Sequence, residues 1–130
     1  MLKDKVLVVY VTRNNPTLLQ HSFESFAKYS AGYDYDLLIA DNQSDNKQQL
    51  AMLENLAKKH KIATYDNNRV EVSFNRAYQE NKDYAYYFFL HDDCVVNRDN
   101  WLKAFIDRQK SAYIENIVKE DVAFNALPVG

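Results

Sequence analysis

Residues 6–10 read Val6-Leu7-Val8-Val9-Tyr10, an uninterrupted apolar run rich in β-branched side chains. Such a run is typical of a parallel β-strand that is covered on both faces, because a strand with one exposed face alternates apolar and polar residues. The polar segment Thr12-Arg13-Asn14-Asn15 follows, and Pro16 stands where a helix can begin, with Asn15 as its N-cap. The succession predicts a buried strand that leads through a polar turn into a helix.

The same alternation of strand and helix continues along the chain. Three further strands are predicted, at Tyr35–Ala40, Ile62–Tyr65 and Tyr84–Leu90. Helices are predicted after Pro16, where Leu19, Phe23, Phe26 and Ala27 form an apolar face, at Lys47–His60, at Val72–Asn81 and after Asp99. The strand at Tyr84–Leu90 is the most apolar, and we expect it to be central. Val122-Ala123-Phe124 is expected to begin a fifth strand.

This order of elements predicts one α/β domain over residues 1–130, with a mostly parallel central sheet between two layers of helices, as in a Rossmann-like fold. The chain has 16 basic and 18 acidic residues and a formal net charge of -2. A charge so close to zero gives no general attraction to nucleic acid or to anionic lipid, so neither is expected as a partner.

Cysteine and glycine usage excludes several classes of protein. Cys94 is the single cysteine, so an internal disulfide is impossible and a reducing, cytoplasmic location is expected. The longest apolar run, Tyr84–Leu90, is too short to span a membrane. Gly32 and Gly130 are the only glycines, which excludes a P-loop and a glycine-rich dinucleotide-binding turn.

The polar residues collect at the predicted carboxyl ends of the strands. With a strand order of 3-2-1-4, the turns Thr12–Asn15, Asp41–Asn46 and His91–Asp93 open on one edge, where ligands of such sheets bind. Side chains alternate along an extended segment, so His91 and Asp93 are expected to face the same way. Carboxylate oxygens suit Mg²⁺ or Mn²⁺, which completes its shell with water and substrate phosphates. The arrangement fits a diphosphate ligand.

These segments resemble a known family. Val11-Thr12-Arg13-Asn14-Asn15-Pro16, Ile39-Ala40-Asp41-Asn42-Gln43-Ser44-Asp45, Phe88-Phe89-Leu90-His91-Asp92-Asp93-Cys94-Val95-Val96 and Trp101-Leu102 are similar to the successive signatures of family 2 glycosyltransferases of the GT-A fold. The resemblance covers nearly the whole chain. The matching part of that family is its donor-binding half. The acceptor-binding half, which supplies the general base, has little counterpart here.

The resemblance implies a set of substrate-binding residues: Thr12, Arg13, Asn14, Asp41, Asn42, Ser44, Arg69, Asn75, His91 and Asp92. Thr12 and its turn would line the nucleotide base, and Asp41 would accept a hydrogen bond from the base. Arg69 would contact base or diphosphate, and Asp92 or the residue before it would hold the ribose. Asp93, with His91, would bind Mn²⁺ or Mg²⁺; His91 stands where the family often has an aspartate. No catalytic base is identified, since Glu120 and Asp121 lie in no persuasive motif.

The resemblance implies an inverting, metal-dependent transfer of a sugar from a nucleoside-diphosphate sugar, a UDP-sugar in our interpretation, to a hydroxyl of an unknown acceptor. One alternative is a non-catalytic nucleotide-sugar-binding or interaction module, whose acceptor site a second copy or a partner chain would complete. Another is a small metal-dependent phosphohydrolase that would add Asp41 and Asp45 to the acidic strand end. Asp41 could equally be an Asx-turn residue that only shapes its loop.

Overall fold

The computed structural model describes residues 2–30, 34–97, 99 and 101–108. Its elements are β1 (Leu2–Thr12), α1 (Pro16–Tyr29), β2 (Tyr35–Asn42), α2 (Lys47–Leu56), β3 (Lys61–Tyr65), α3 (Val70–Glu80) and β4 (Tyr84–His91). A further helix, α4, covers residues 101–108. Strands and helices alternate as the hydrophobic pattern predicts.

The four strands form one parallel sheet in the order β3-β2-β1-β4. Val8 of β1 is in register with Leu37 of β2 on one side and with Phe88 of β4 on the other. The predicted α/β class and strand order are confirmed. The strand order reverses between β1 and β4, so the carboxyl ends of these two strands flank the position where such folds bind ligands.

β1 is the central strand of the core. Its side chains from Val6 to Val11 are between 0 and 4% exposed, which is why their run is continuously apolar. Val8 and Tyr10 pack on the sheet face that α1, α2 and α4 cover, whereas Leu7 and Val9 pack on the face that α3 covers. The sheet is therefore the middle of three layers.

The prediction that Tyr84–Leu90 is central was wrong for the sheet that the described residues form. Within the described residues, β4 lies at one edge of the sheet and pairs with β1 alone. Phe88 packs against rings of α4, and Phe89 packs against Phe74 of α3. An apolar run shows that both faces of a strand are covered, and it carries no information on how many of its edges are paired.

Several helix predictions needed adjustment. α1 begins with Pro16 as predicted, but the side chain of Asn15 makes no capping hydrogen bond. Ala27 is exposed, and Ser22 is buried in its place because its hydroxyl donates a hydrogen bond to the Tyr10 hydroxyl at 2.9 Å. α2 ends at Leu56, and the chain then turns through residues 57–60 into β3.

α3 begins at Val70, two residues before its predicted start. The predicted fifth strand at Val122–Phe124 falls outside the described residues. None of the helices in the described part of the chain is long and apolar enough to cross a membrane.

Candidate functional site

The turn after β1 is joined to the turn after β2 by Asn14. Its backbone N–H donates to the hydroxyl of Ser44 at 2.9 Å, and its side-chain amide donates to Asp45 at 3.0 Å. Its side-chain oxygen accepts hydrogen bonds from the backbone N–H groups of Asp45 and Asn46, each at 2.9 Å. Asn14 has a φ of 48°, a left-handed conformation that asparagine tolerates better than most residues. Two loops 30 residues apart are thus held together at the carboxyl edge of the sheet.

Thr12 joins the end of β1 to the end of β4. Its Oγ1 donates a hydrogen bond to Oδ2 of Asp92 at 2.9 Å, and Thr12 is 1% exposed. Asp92 lies directly after the last residue of β4, in a turn, and is half-buried. Within the described residues the second oxygen of Asp92, Oδ1, accepts no hydrogen bond.

Asp41 is the second-to-last residue of β2, and its buried carboxylate accepts three hydrogen bonds. The backbone N–H of Ser44 donates to Oδ2 at 2.9 Å, and the Ser44 hydroxyl donates to Oδ1 at 2.6 Å. Gln49 donates to Oδ1 at 3.1 Å. Asp41 is 1% exposed, so these bonds replace the water that its charge would otherwise require. The bonds to Ser44 show that Asp41 shapes the turn, as its Asx-turn interpretation predicts, while Oδ2 keeps room for one more donor.

Gln49 of α2 connects these groups, and the sequence analysis missed it. Its side chain is fully buried; Nε2 donates to Thr12 at 2.9 Å and to Asp41 at 3.1 Å, and Oε1 accepts from the backbone N–H of Asn15 at 3.2 Å. The signal was present in the pattern, because Gln49 occupies the same helical stripe as Leu53 and Leu56. A glutamine on an apolar stripe is buried only when its hydrogen bonds are satisfied.

Arg13 and Asn42 stabilise the turn after β2. Nη1 of Arg13 donates to the backbone oxygen of Asn42 at 2.7 Å and to that of Gln43 at 3.3 Å. Asn42 is 2% exposed, and its side-chain oxygen accepts a hydrogen bond from the hydroxyl of Ser73, which is fully buried at the start of α3. The contact with Ser73 brings the first turn of α3 to the carboxyl end of β2.

His91 and Asp93 follow a different path from the one predicted. β4 ends at His91, and residues 92 and 93 form a turn that the hydrogen bond from Cys94 N–H to the His91 carbonyl closes at 3.1 Å. Strand alternation therefore stops at His91 and does not decide where Asp93 points. His91 is exposed, with its ring 5.7 Å from that of Phe74, edge to face.

Asp93 is exposed, and no hydrogen bond or ion pair joins it to another residue of the described part of the chain. In the same part, no three His, Cys, Asp or Glu side chains converge in a way that could hold a metal ion. His91 and Asp93 are both exposed at this strand end, so an imidazole and a carboxylate are accessible there.

Arg69 and Asn75 take no part in the hydrogen-bond network of the three turns. Arg69 forms an ion pair with Glu71, and its side chain is 67% exposed. Asn75 is exposed on α3 and lines a groove of about 520 Å³ that also includes Phe74, Tyr78 and Phe89. The hydrogen bonds of the three turns join seven of the predicted site residues: Thr12, Arg13, Asn14, Asp41, Asn42, Ser44 and Asp92. His91 and Asp93 flank Asp92 in sequence. Arg69 is the N-cap of α3, and Asn75 lies on that helix.

The comparison with protein families decides the assignment. The model of the family described as glycosyl transferase family 2 matches residues 7–119. The chain belongs to this family. Its sheet and helices are those of the GT-A fold, as the resemblance implies. A search of curated proteins found no match.

Solved structures support the same fold. The chain is similar to TarS from S. aureus, with a TM-score of 0.64 and 21% sequence identity over 82% of this chain and 20% of the TarS chain. TarS 1–349 in complex with UDP gives a TM-score of 0.61 at 18% identity, over 86% of this chain and 32% of the other. The complex of TarS 1–349 with UDP-GlcNAc gives a TM-score of 0.55 at 18% identity, over 86% and 31% of the two chains. The chain spans between a fifth and a third of the length of these structures.

Proposed function

We propose that this chain forms the donor-binding part of a glycosyltransferase that moves a sugar from a nucleoside-diphosphate sugar, a UDP-sugar, to an acceptor hydroxyl. The observation that carries the proposal is the continuous hydrogen-bonded path from Asp41 through Gln49 and Thr12 to Asp92. This path joins the carboxyl ends of β2, β1 and β4 beside the reversal of strand order, where α/β sheets bind nucleotides. Membership of glycosyl transferase family 2 and the likeness to structures of TarS with UDP and UDP-GlcNAc support it.

The nucleotide base is assigned to the turns after β1 and β2. Thr12 and Asp41 are rigidly held there, and Oδ2 of Asp41 has capacity for one further donor, such as a base N–H. Arg13 already fixes the β2 turn through two carbonyls and retains donors on its exposed guanidinium. Asn14, Asn42 and Ser44 act by shaping these turns, since their side chains are engaged with the protein.

The ribose and the diphosphate are assigned to the end of β4. Oδ1 of Asp92 is available to a ribose hydroxyl, because Thr12 binds Oδ2 and no described residue donates to Oδ1. Arg69 would reach the diphosphate by exchanging its ion pair with Glu71 for one with phosphate oxygens, a contact that guanidinium geometry favours. A role for Asn75 in substrate binding stays a prediction, since its groove on α3 is separate from the hydrogen bonds described above.

Asp93, with His91 beside it, would hold Mn²⁺ or Mg²⁺. The donor chemistry fits: an exposed carboxylate without a partner among the described residues and an imidazole are ligands for these ions, which take their remaining ligands from water and phosphate. When bound, the ion neutralises the charge that develops on the departing nucleoside diphosphate. The reaction we propose is a direct displacement with inversion. The acceptor oxygen bonds to the anomeric carbon and gives its proton to a base, while the bond to the phosphate oxygen breaks and the nucleoside diphosphate leaves. We assign no general base; Glu120 and Asp121 lie outside the described residues.

The test is isothermal titration calorimetry of the purified chain with UDP, UDP-GlcNAc, UDP-glucose and GDP-mannose in the presence of MnCl2. We expect binding of the uridine nucleotides and weaker binding in Asp93→Ala. Asp83→Ala is the matched control, because Asp83 is also exposed but precedes β4 at the opposite end of the same strand. The absence of binding for every nucleotide, or unchanged binding in Asp93→Ala, would refute the proposal.

A non-catalytic donor-binding module is the second candidate. It is supported by the site itself, because each residue assigned above would bind the donor and none would bind an acceptor or act as the base. Nucleotide binding without UDP release or sugar transfer over a panel of acceptors would select this candidate, whereas turnover by the purified chain would exclude it. A phosphohydrolase is less well supported, because Asp41 and Asp45 are engaged with Ser44 and Asn14 and no three metal ligands converge in the described part of the chain.

A further inference from the structure

Gln49 is the fully buried polar side chain at the centre of the three turns, and its orientation is fixed by its partners. The backbone N–H of Asn15 can only donate, so the atom of Gln49 that faces it must be the oxygen, Oε1. The side-chain nitrogen, Nε2, is then the atom that faces Thr12 and Asp41, and its two hydrogens serve the two bonds. The amide has one arrangement that satisfies all three contacts.

This arrangement sets the direction of the neighbouring hydrogen bonds. Because Nε2 donates to Thr12, Oγ1 of Thr12 accepts from it and sends its single proton to Oδ2 of Asp92. The Thr12 hydroxyl therefore holds one oxygen of Asp92, and no described residue donates a hydrogen bond to the other. At Asp41, the donors Gln49 and Ser44 Oγ both bind Oδ1, so Oδ2 is the oxygen left with a single donor.

We propose that Gln49 is a positioning residue for the donor nucleotide, which orients Asp41 directly and Asp92 through Thr12. It is buried behind the site residues that it binds, so its effect on ligand affinity is transmitted by these two carboxylates. The inference rests on the proposed function, since it names the residue that organises the UDP site.

The experiment compares UDP binding, with MnCl2, by calorimetry in the unaltered chain and in Gln49→Met, which keeps the size of the side chain but removes both donors. We expect UDP affinity to fall by about tenfold or more, by analogy with the loss seen when a residue that orients a metal ligand is removed. Gln48→Met is the matched control, because Gln48 is the exposed neighbour on the same helix. It should change neither affinity nor melting temperature.

A second control separates positioning from general stability. Leu53→Ala removes a core side chain of α2 that is 6% exposed, so it should lower the melting temperature while the folded protein keeps its UDP affinity. Thr12→Val interrupts the path one step further along and should weaken UDP binding as Gln49→Met does, whereas Thr12→Ser, which retains the hydroxyl, should weaken it less. The Thr12 pair also tests the inference if Gln49→Met fails to fold.

The result that overturns the inference is a folded Gln49→Met chain that binds UDP within about twofold of the unaltered chain. If the unaltered chain binds no UDP, the proposed function fails instead, and the positioning is read from the side-chain carboxyl ¹³C resonances of Asp41 and Asp92 without ligand. Gln49→Met should shift both resonances and leave that of Asp83 unchanged. Unchanged resonances for Asp41 and Asp92 would overturn the positioning as well.

Discussion

The hydroxyl of Thr12 donates a hydrogen bond to the carboxylate of Asp92 at 2.9 Å, across 80 positions of sequence. The bond ties the carboxyl end of β1, which is buried from Val6 to Thr12, to the acidic turn after β4. Because Thr12 also accepts a hydrogen bond from Gln49, one small side chain connects the parts of the chain to which we assign base and ribose.

Thr12→Val should lower the free energy of unfolding by about 1–3 kcal/mol, because the substitution leaves the donor of Gln49 and one oxygen of Asp92 without a partner. Urea denaturation at neutral pH measures the change. Thr17→Val, on the exposed first turn of α1, is the control and should stay within about 0.5 kcal/mol. Equal stability of the two variants would contradict the role of Thr12.

Removal of the divalent ion should weaken UDP binding through Asp93. We expect EDTA to lower the UDP affinity of the unaltered chain, and the residual affinity of Asp93→Ala to be the same with MnCl2 and with EDTA. Asp93→Ala should leave the melting temperature unchanged, since the Asp93 side chain is exposed. An equal response of both proteins to MnCl2, measured by calorimetry, would place the ion elsewhere.

The stability should decline at alkaline pH because of buried tyrosines. Burial raises the pKa of Tyr10 to about 12, above the value of 10.0 expected in the unfolded chain. The contribution of Tyr10 to the free energy of unfolding is fully present below pH 10 and is lost as the pH rises towards 12, because the unfolded chain then releases a proton that the folded chain retains. The free energy of unfolding falls by at most about 1.4 kcal/mol per pH unit for this one group. Burial raises the pKa of Tyr65 and of Tyr84 in the same direction.

Urea denaturation between pH 9 and pH 12 tests this dependence. Tyr10→Phe should reduce the slope of stability against pH, whereas Val8→Ala, from the same buried strand, should lower stability by an amount that does not vary with pH. Identical slopes for Tyr10→Phe and the unaltered chain would show that Tyr10 does not contribute.

Phe26→Ala should cost about 3–5 kcal/mol of stability, because its ring is fully buried and packs edge to face against Tyr10, Tyr35 and Trp101. Leu18→Ala on the same helix is the control; Leu18 is 45% exposed and its loss should cost less than about 1 kcal/mol. Chemical denaturation measures the free energy of unfolding of both variants. A loss below 1 kcal/mol for Phe26→Ala would argue against this packing.

Two residues with positive φ should respond in opposite ways to glycine. Gln43 has a φ of 57° in the turn after β2, so Gln43→Gly should relieve left-handed strain and raise stability by up to about 1 kcal/mol. Asn14 has a φ of 48°, but Asn14→Gly also removes the side-chain bonds to Asp45 and Asn46 and should be destabilising. Thermal unfolding measures the melting temperature of both variants. A change of melting temperature in the same direction for both would contradict these contacts.

The strands and their order could be predicted because the pattern of β1 is so clear. The apolar run from Val6 to Val11, which the structure buries, is followed by a polar turn and Pro16. This pattern predicts the strand, the helix that follows it and the edge of the sheet where the polar turns lie. The position of β4 could not be predicted in the same way, because apolar residues report covered faces and β4 is covered by α3 and α4 without a second described partner strand.

The candidate site was predictable as an edge of the sheet but not as a set of bonds. The turns after β1, β2 and β4 were expected to meet, and hydrogen bonds of Asn14 and Thr12 join them. The role of Gln49 was not predicted, since local sequence does not show which distant groups a buried amide satisfies. The predicted pairing of His91 with Asp93 rested on strand geometry that ends at His91, two residues before Asp93.

The central claim is that the turns carrying Asp41, Thr12 and Asp92 form one site for a uridine diphosphate and a divalent ion. A crystal structure of the chain with UDP and MnCl2 tests it most directly. The account predicts the uracil between the turns after β1 and β2, with Mn²⁺ bound to the diphosphate and to Asp93. UDP bound instead in the groove between α3 and β4, or Mn²⁺ away from Asp93, would contradict it.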